Sequence, residues 1–172
     1  MKPITEEGSG FYLAIEDEDL MAIETMARII VPEVYGAYVE LENCEQFIHR
    51  FQTVAALKEQ IQSGYEYFLI YSNGICQGYF ALVYQPDRVL LSKLYLLSEA
   101  RGKGMGQMAM DFSISEAKKR GYKRIDLIVN RQNEGAIGFY QRNGFSIVES
   151  LEHDFGKGYL VYDYRMKKEL DK

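Results

Sequence analysis

Apolar positions recur with a helical period early in the chain: Leu20, Ile23, Ala27 and Ile30 fall three or four residues apart behind an acidic first turn. This spacing predicts a helix that Pro32 should end or kink. Ahead of it, Phe11 to Ile15 reads as a short strand. A second helix is expected from about Glu42 to Gln62, with Phe47, Phe51, Val54, Leu57 and Ile61 as its apolar face and Gly64 as its stop. The period then shortens. Residues 67–86 carry no charge over about the length of a membrane span, but Ser72-Asn73-Gly74 divides them. Asn-Gly supplies the positive φ angles of a tight hairpin, so two antiparallel strands are expected near Tyr65 to Tyr71 and Ile75 to Tyr84.

Beyond Pro86, the nearly continuous apolar run Val89 to Leu97 has the length of a central strand buried on both faces. A glycine-rich turn leads to a helix from about Gly104 to Arg120. Met105, Met108, Ala109 and Phe112 form one apolar face, and Met110, Ile114 and Ala117 a second. Lys118-Lys119-Arg120 complements the helix dipole, and Gly121 can take the left-handed conformation that ends the helix. Ile125 to Val129 completes a β-α-β unit of parallel strands, with a right-handed crossover expected. Asn133 can cap a short helix through Arg142, closed by Asn143-Gly144, and strands follow near Phe145 to Ser150 and Gly158 to Met166. No repeat, low-complexity segment or linker interrupts this order, so a single domain over residues 1–172 is expected.

Composition supports a globular domain: of 172 residues 47% are hydrophobic and 26% charged, which disfavours disorder or a coiled coil. Cys44 and Cys76 are too few and too far apart for a disulfide scaffold or a Cys-rich zinc site, so no metal is expected. The first residues contain no apolar core of a secretion signal, which favours the cytoplasm. The net charge of −5 divides unevenly. Residues 1–86 hold 4 basic and 13 acidic side chains, net −9, whereas residues 87–172 hold 16 basic and 12 acidic, net +4. Either chance spacing of solvated charges or two ligands of opposite sign would account for this.

The strongest chemical signal is Arg-Gly-Lys-Gly-Met-Gly, Arg101 to Gly106, between the strand and helix of the β-α-β unit. Alternate glycines let the backbone bend close to a ligand, and the helix start leaves N–H groups pointing outward. The dipole, Arg101 and Lys103 add positive charge, so the turn suits a phosphate. A Walker loop is excluded because Gly102-Lys103 is followed by glycine and not by Ser or Thr. A dinucleotide fingerprint is excluded because the glycines read G-x-G-x-G after several strands. The second signal, Asn130 to Phe145, follows the other parallel strand and reads N-R-Q-N-E-G-A-I-G-F-Y-Q-R-N-G-F.

Together these segments resemble the acetyl-CoA motif set of the GNAT superfamily of N-acetyltransferases. In that set, Q/R-x-x-G-x-G/A is followed downstream by N-x-x-A-x-x-x-Y-x-x-x-G-F. The layout, including Leu94-Tyr95-Leu96 on the preceding strand, is also similar to bacterial PaiA-type polyamine acetyltransferases. The resemblance implies a GNAT-like α/β fold, with a mixed, largely antiparallel sheet, a parallel β-α-β unit and helices on both faces. It implies acetyl-CoA as cosubstrate. The amides of Gly102, Lys103, Gly104, Met105 and Gly106 would hold the pyrophosphate, with Arg101 at the start of the loop. Leu94 and Leu96 would pair with the pantetheine arm through their main chain, Asn133 would contact the arm from the other side, and Tyr140 would act as general acid.

In such a reaction the amine attacks the thioester directly, so no protein nucleophile is required. Many relatives carry a glutamate base on the strand before the loop, but here that stretch reads Leu91-Ser92-Lys93-Leu94. Glu66 and Glu149 lie on other strands and read as surface charges, and His49 and His153 are isolated, so the base is unassigned. The acidic N-terminal helices suit a cationic amine, with Glu33, Glu40, Glu42, Glu45, Tyr35 and Tyr38 as candidate lining. A polyamine is the substrate class the resemblance favours. Protein N-termini or lysines are the alternative acceptors, and a non-catalytic acyl-CoA-sensing module is the alternative of another class. The expected partner is a small-molecule amine, with no membrane and, given the overall acidity, no nucleic acid. A homodimer is allowed for.

Overall fold

The computed structural model describes residues 9–37, 39–154 and 160–171. Seven strands form a mixed sheet with the hydrogen-bonded order β1-β2-β3-β4-β5-β7-β6. They are β1 (Gly10–Leu13), β2 (Tyr65–Ser72), β3 (Ile75–Tyr84), β4 (Val89–Leu96), β5 (Arg124–Asn130), β6 (Ser146–Asp154) and β7 (Leu160–Glu169). Among the described residues five α-helices accompany them: α1 (Asp17–Tyr35), α2 (Leu41–Phe51), α3 (Val54–Gln62), α4 (Met105–Lys119) and α5 (Glu134–Arg142). β4 and β5 are parallel, in register Val89↔Ile125 to Leu91↔Leu127. The pairs β1–β2, β2–β3, β5–β7 and β6–β7 are antiparallel. The chain divides into two compact units. One holds the described residues through Val83 together with Lys93–Phe112, and the other holds Tyr84–Ser92 with the described residues from Ser113 onward.

In the first unit, Asn73 (φ 53°) and Gly74 (φ 77°) make the expected tight turn between β2 and β3. The uncharged stretch is thus a hairpin, and no helix among the described residues is long and apolar enough to cross a membrane. The expectation for Pro32 is corrected as to the helix end. Pro32 lies inside α1, which continues to Tyr35. Proline forfeits one N–H bond, but here only one turn remains. The carbonyl of Pro32 accepts from Gly36 at 2.8 Å, and Val34 and Tyr35 pack onto the core that Ile30 and Val31 enter.

The single helix expected from Glu42 to Gln62 is two helices broken at Gln52-Thr53. Gln52 is fully buried. Its amide donates to the Phe51 carbonyl at 2.7 Å and to the Tyr67 hydroxyl at 3.4 Å, while the Tyr79 hydroxyl donates to its oxygen. Thr53 then caps α3 by accepting from the Ala56 amide at 3.3 Å. Glu24 accepts from the Val54 amide at 2.8 Å, and that backbone bond holds its carboxyl below the usual range. A buried polar corner has replaced a helical turn. Its backbone groups are satisfied by side chains that an apolar count overlooks.

β4 is buried only at Val89 and Leu91, and the rest of the strand is half-buried, so the expectation of burial on both faces is corrected. The two apolar faces expected on α4 are also corrected. Ala109, Met110, Ser113 and Ala117 form one buried seam, while Met108 is 50% exposed.

In the second unit, the helix ends follow the sequence closely. Tyr122 N–H bonds Ala117 and Gly121 N–H bonds Lys118, both at 3.0 Å, with Gly121 at φ 83°. The same pair of bonds closes α5, from Phe145 to Tyr140 and from Gly144 to Gln141, with Gly144 at φ 93°. Both are Schellman caps, which satisfy the last carbonyls of a helix through a left-handed residue. The expected last strand is found as β7, while Gly158 itself lies outside the described residues.

Asp126 on β5, fully buried, accepts from Arg124 at 2.7 and 2.8 Å, from Arg165 at 2.7 Å and from Arg88 at 3.1 Å. Burial pushes its carboxyl upward, but the bonds from Arg124 and Arg165 outweigh that and hold it below the ordinary value.

Candidate functional site

In the first unit, the residues expected to hold a cosubstrate run without interruption from β4 into α4. Leu94 and Leu96 lie on the half-buried end of β4. β3 approaches this end closely. A Cβ on Gly78 would come within 2.3 Å of the Tyr95 carbonyl oxygen and 3.1 Å of the Leu96 Cα, so only glycine fits, and Leu97 N–H bonds Gln77 at 2.9 Å. After one 3₁₀ turn at Ser98–Ala100, Gly102 (φ 77°) and Gly104 (φ 85°) adopt the left-handed conformation that favours glycine.

α4 opens at Met105 with no acidic residue in its first turn. Helix geometry leaves the first-turn amides, Met105 and Gly106 among them, without acceptors inside the helix. Lys103 is exposed in the loop. An anion fits here. The dipole is positive, no carboxylate opposes it within the first turn, and nothing lies within 4 Å of where a Cβ of Gly102 or Gly104 would be.

Arg101 does more than add charge at the rim. Its Nε donates to the Leu96 carbonyl at 3.1 Å, and its other nitrogen reaches Glu33 on α1 at 3.4 Å. Tyr35 lies in the same last turn of α1, and its hydroxyl is 3.0 Å from that of Tyr95 on β4. Two of the residues expected to line an amine site are therefore engaged within the unit: Glu33 is partly neutralised by Arg101, and Tyr35 is paired. Glu40 is the N-cap residue of α2, Glu42 and Glu45 are exposed, and Tyr38 lies outside the described residues.

The sequence reading set aside Lys93, which the structure marks out. It has φ 60°, a left-handed conformation for a non-glycine residue within a strand, and it forms a kink in β4 immediately before Leu94. The side chain is half-buried, with Nζ 5.8 Å from the centre of the Phe51 ring. Burial lowers its amine to about 8. One lysine inside an otherwise apolar run was the available signal.

In the second unit, Asn133 caps α5 as expected, accepting from the Ala136 amide at 3.3 Å. Tyr140 stands in the last turn of α5, with its ring centre 6.0 Å from that of Phe145 and 5.5 Å from that of Phe139. Tyr140 and Phe145 are the two positions whose apolar contact accompanies a Schellman cap. The spacing Y-x-x-x-G-F thus has a structural meaning: aromatic, left-handed glycine, aromatic partner. Burial raises the Tyr140 phenol to about 12, so it stays neutral and able to donate. Of the other candidates, Glu149 pairs with Arg165 at 3.0 Å, and His153 lies 3.4 Å from Asp163, whose carboxyl is raised chiefly by burial. Among the described residues, no group of three or more His, Cys, Asp or Glu is placed to hold a metal ion.

Comparison with known proteins bears on both units. An uncharacterized N-acetyltransferase of Mycobacterium tuberculosis is 36% identical over 99 residues, covering 57% of this chain and 63% of that protein. The chain thus spans less than two thirds of that curated relative's length. The spermidine N(1)-acetyltransferase of Thermoplasma acidophilum is 26% identical over 143 residues, covering 80% of this chain and 89% of the relative. The crystal structure of PaiA N-acetyltransferase from Thermoplasma acidophilum, in complex with coenzyme A, superposes with a TM-score of 0.78. It has 23% identity, over 93% of this chain and 99% of that one, and so shares the fold. The family model described as Acetyltransferase (GNAT) family matches residues 33–145, a span that takes in β4, the glycine loop and the whole of α5, and the chain belongs to that family.

Proposed function

We propose that this chain, acting as one domain, transfers the acetyl group of acetyl-CoA to a primary amine of a small cationic acceptor, with a polyamine as the leading class. The family match across both motif segments carries this reading. The spermidine-acetylating relative, covered over 89% of its length, supports the acceptor class. The solved relative in complex with coenzyme A supports the cosubstrate.

In this reading the loop amides of Gly102 to Gly106 and the start of α4 hold the pyrophosphate, and the main chain of Leu94 and Leu96 pairs with the pantetheine arm. Arg101 steadies the loop by tying it to the Leu96 carbonyl, and Asn133 contacts the arm. Tyr140 serves the departing sulfur. Burial keeps the phenol neutral, as a proton donor to the leaving sulfur must be. Its contribution is a hydrogen bond to the negative charge that grows on sulfur as the C–S bond breaks. The proton shed by the amine completes the balance.

The test follows free thiol released from acetyl-CoA with spermidine, other amines and short peptides as acceptors. Turnover with spermidine and related amines is expected. Turnover with peptides alone would remove the polyamine reading. Acetyl-CoA binding without turnover on any acceptor would favour an acyl-CoA-sensing module.

A further inference from the structure

We propose that Lys93 is an internal acetyl acceptor, a lysine that the chain acetylates on itself when acetyl-CoA is bound and no amine is present. This inference rests on the cosubstrate reading above. The pyrophosphate end belongs at the loop, residues 102–106, and the arm then runs back along β4 past Leu96 to Leu94. Lys93 is the next residue in that direction, so it stands at the thioester end of the path. Its backbone marks the same point: φ 60° breaks the regular strand there. Such a conformation is strained for a non-glycine residue and is retained where the surroundings impose it.

The side chain lies in an aromatic setting. Its Nζ is 5.8 Å from the Phe51 ring centre, Phe51 packs on Phe47 at 5.2 Å, Phe47 on Tyr35 at 6.2 Å, and Tyr35 on Tyr95 at 6.4 Å. Phe51 lies beside the amine, and burial favours its neutral, nucleophilic form. In the step, the neutral Nζ forms a bond to the acetyl carbonyl carbon and the C–S bond breaks. Coenzyme A leaves as the thiol, carrying the proton shed by nitrogen.

The full chain is incubated with acetyl-CoA alone near neutral pH. Acetylation is located by peptide mass spectrometry, and acetyl-CoA binding is measured by calorimetry on the same preparation. Lys93 is expected to be acetylated at least about tenfold faster than the exposed Lys103, Lys118 and Lys119, because Lys93 alone adjoins the proposed thioester position. Excess coenzyme A should suppress the reaction at Lys93 alone, and Lys93→Arg should abolish it while the protein remains folded by circular dichroism. An unmodified Lys93, or one that only keeps pace with the exposed lysines, in a sample that binds acetyl-CoA overturns the proposal. A sample that binds no acetyl-CoA overturns the proposed function first, and this step with it.

Discussion

Tyr140 is fixed twice over: by the α5 helix that carries it and by the ring of Phe145 beyond the Gly144 turn. Its hydroxyl takes no part in either contact, so Tyr140→Phe removes only the donor and keeps the packing. Turnover is expected to fall about tenfold to a hundredfold, the worth of one hydrogen bond to a charged group, with acetyl-CoA affinity nearly unchanged. Steady-state kinetics beside calorimetry will check this, and unchanged turnover would remove the role. At this scale the sequence was legible where one residue type answers one backbone need. Gly102, Gly104, Gly121 and Gly144 all have positive φ, and Asn133 caps its helix. It was least legible at Lys93 and Gly78. There the decisive facts are a conformation and a neighbouring strand's carbonyl, neither of which has a local signature.

Among the elements, strands and helices appeared in the expected order, and the errors concern continuity. The α2–α3 break went unseen because apolar spacing persists across it. Gln52 and Thr53 end one helix and start the next through hydrogen bonds to partners far along the chain. The order β5-β7-β6 was equally hidden, since register depends on pairing between distant segments. Asp126 pins that order: its carboxylate accepts from Arg124 on its own strand, from Arg88 just before β4 and from Arg165 on β7, which in turn holds Glu149 on β6.

Asp126→Asn leaves three guanidinium groups facing a neutral amide. It is expected to cost about 3 kcal/mol in urea unfolding, near the low end for a broken buried pair because the arginines remain partly hydrated. Because the folded carboxyl lies below its ordinary value, this contribution is complete near neutrality and is lost as pH falls below about 4. The variant should therefore show a shallower acid limb in stability against pH.

Over the whole molecule, the charge asymmetry read from the sequence takes a different partition. The segments of the first unit total −8 and those of the second +3. The glycine loop thus belongs with the acidic helices, not with the bulk of the basic residues. Several of those basic groups are occupied within the second unit. Arg88, Arg124 and Arg165 surround Asp126, Arg120 lies 3.9 Å over the Tyr84 ring, and Arg131 lies 4.7 Å over that of Tyr162. The loop's fit for phosphate therefore rests on amides, the dipole and Lys103, with Arg101 shared with Glu33. In the proposed function, exposed carboxylates of the first unit such as Glu42 and Glu45 act on the acceptor. The KM for spermidine is accordingly expected to rise severalfold between about 0.05 and 0.5 M salt, as screening weakens the attraction. An uncharged amine should show little change in the same assay, and equal salt dependence would sink the electrostatic argument.

The corner at Gln52 has an optical consequence. The chain contains 14 tyrosines and no tryptophan, so its near-ultraviolet absorption is dominated by phenols. Tyr67 and Tyr79 hold that corner through Gln60 and Gln52, and burial raises both phenols well above the ordinary value. In alkali these two phenols resist ionisation and keep the neutral spectrum for as long as the corner stays closed. The hydroxyls that divide α2 from α3 are thereby an intrinsic gauge of whether that division is intact.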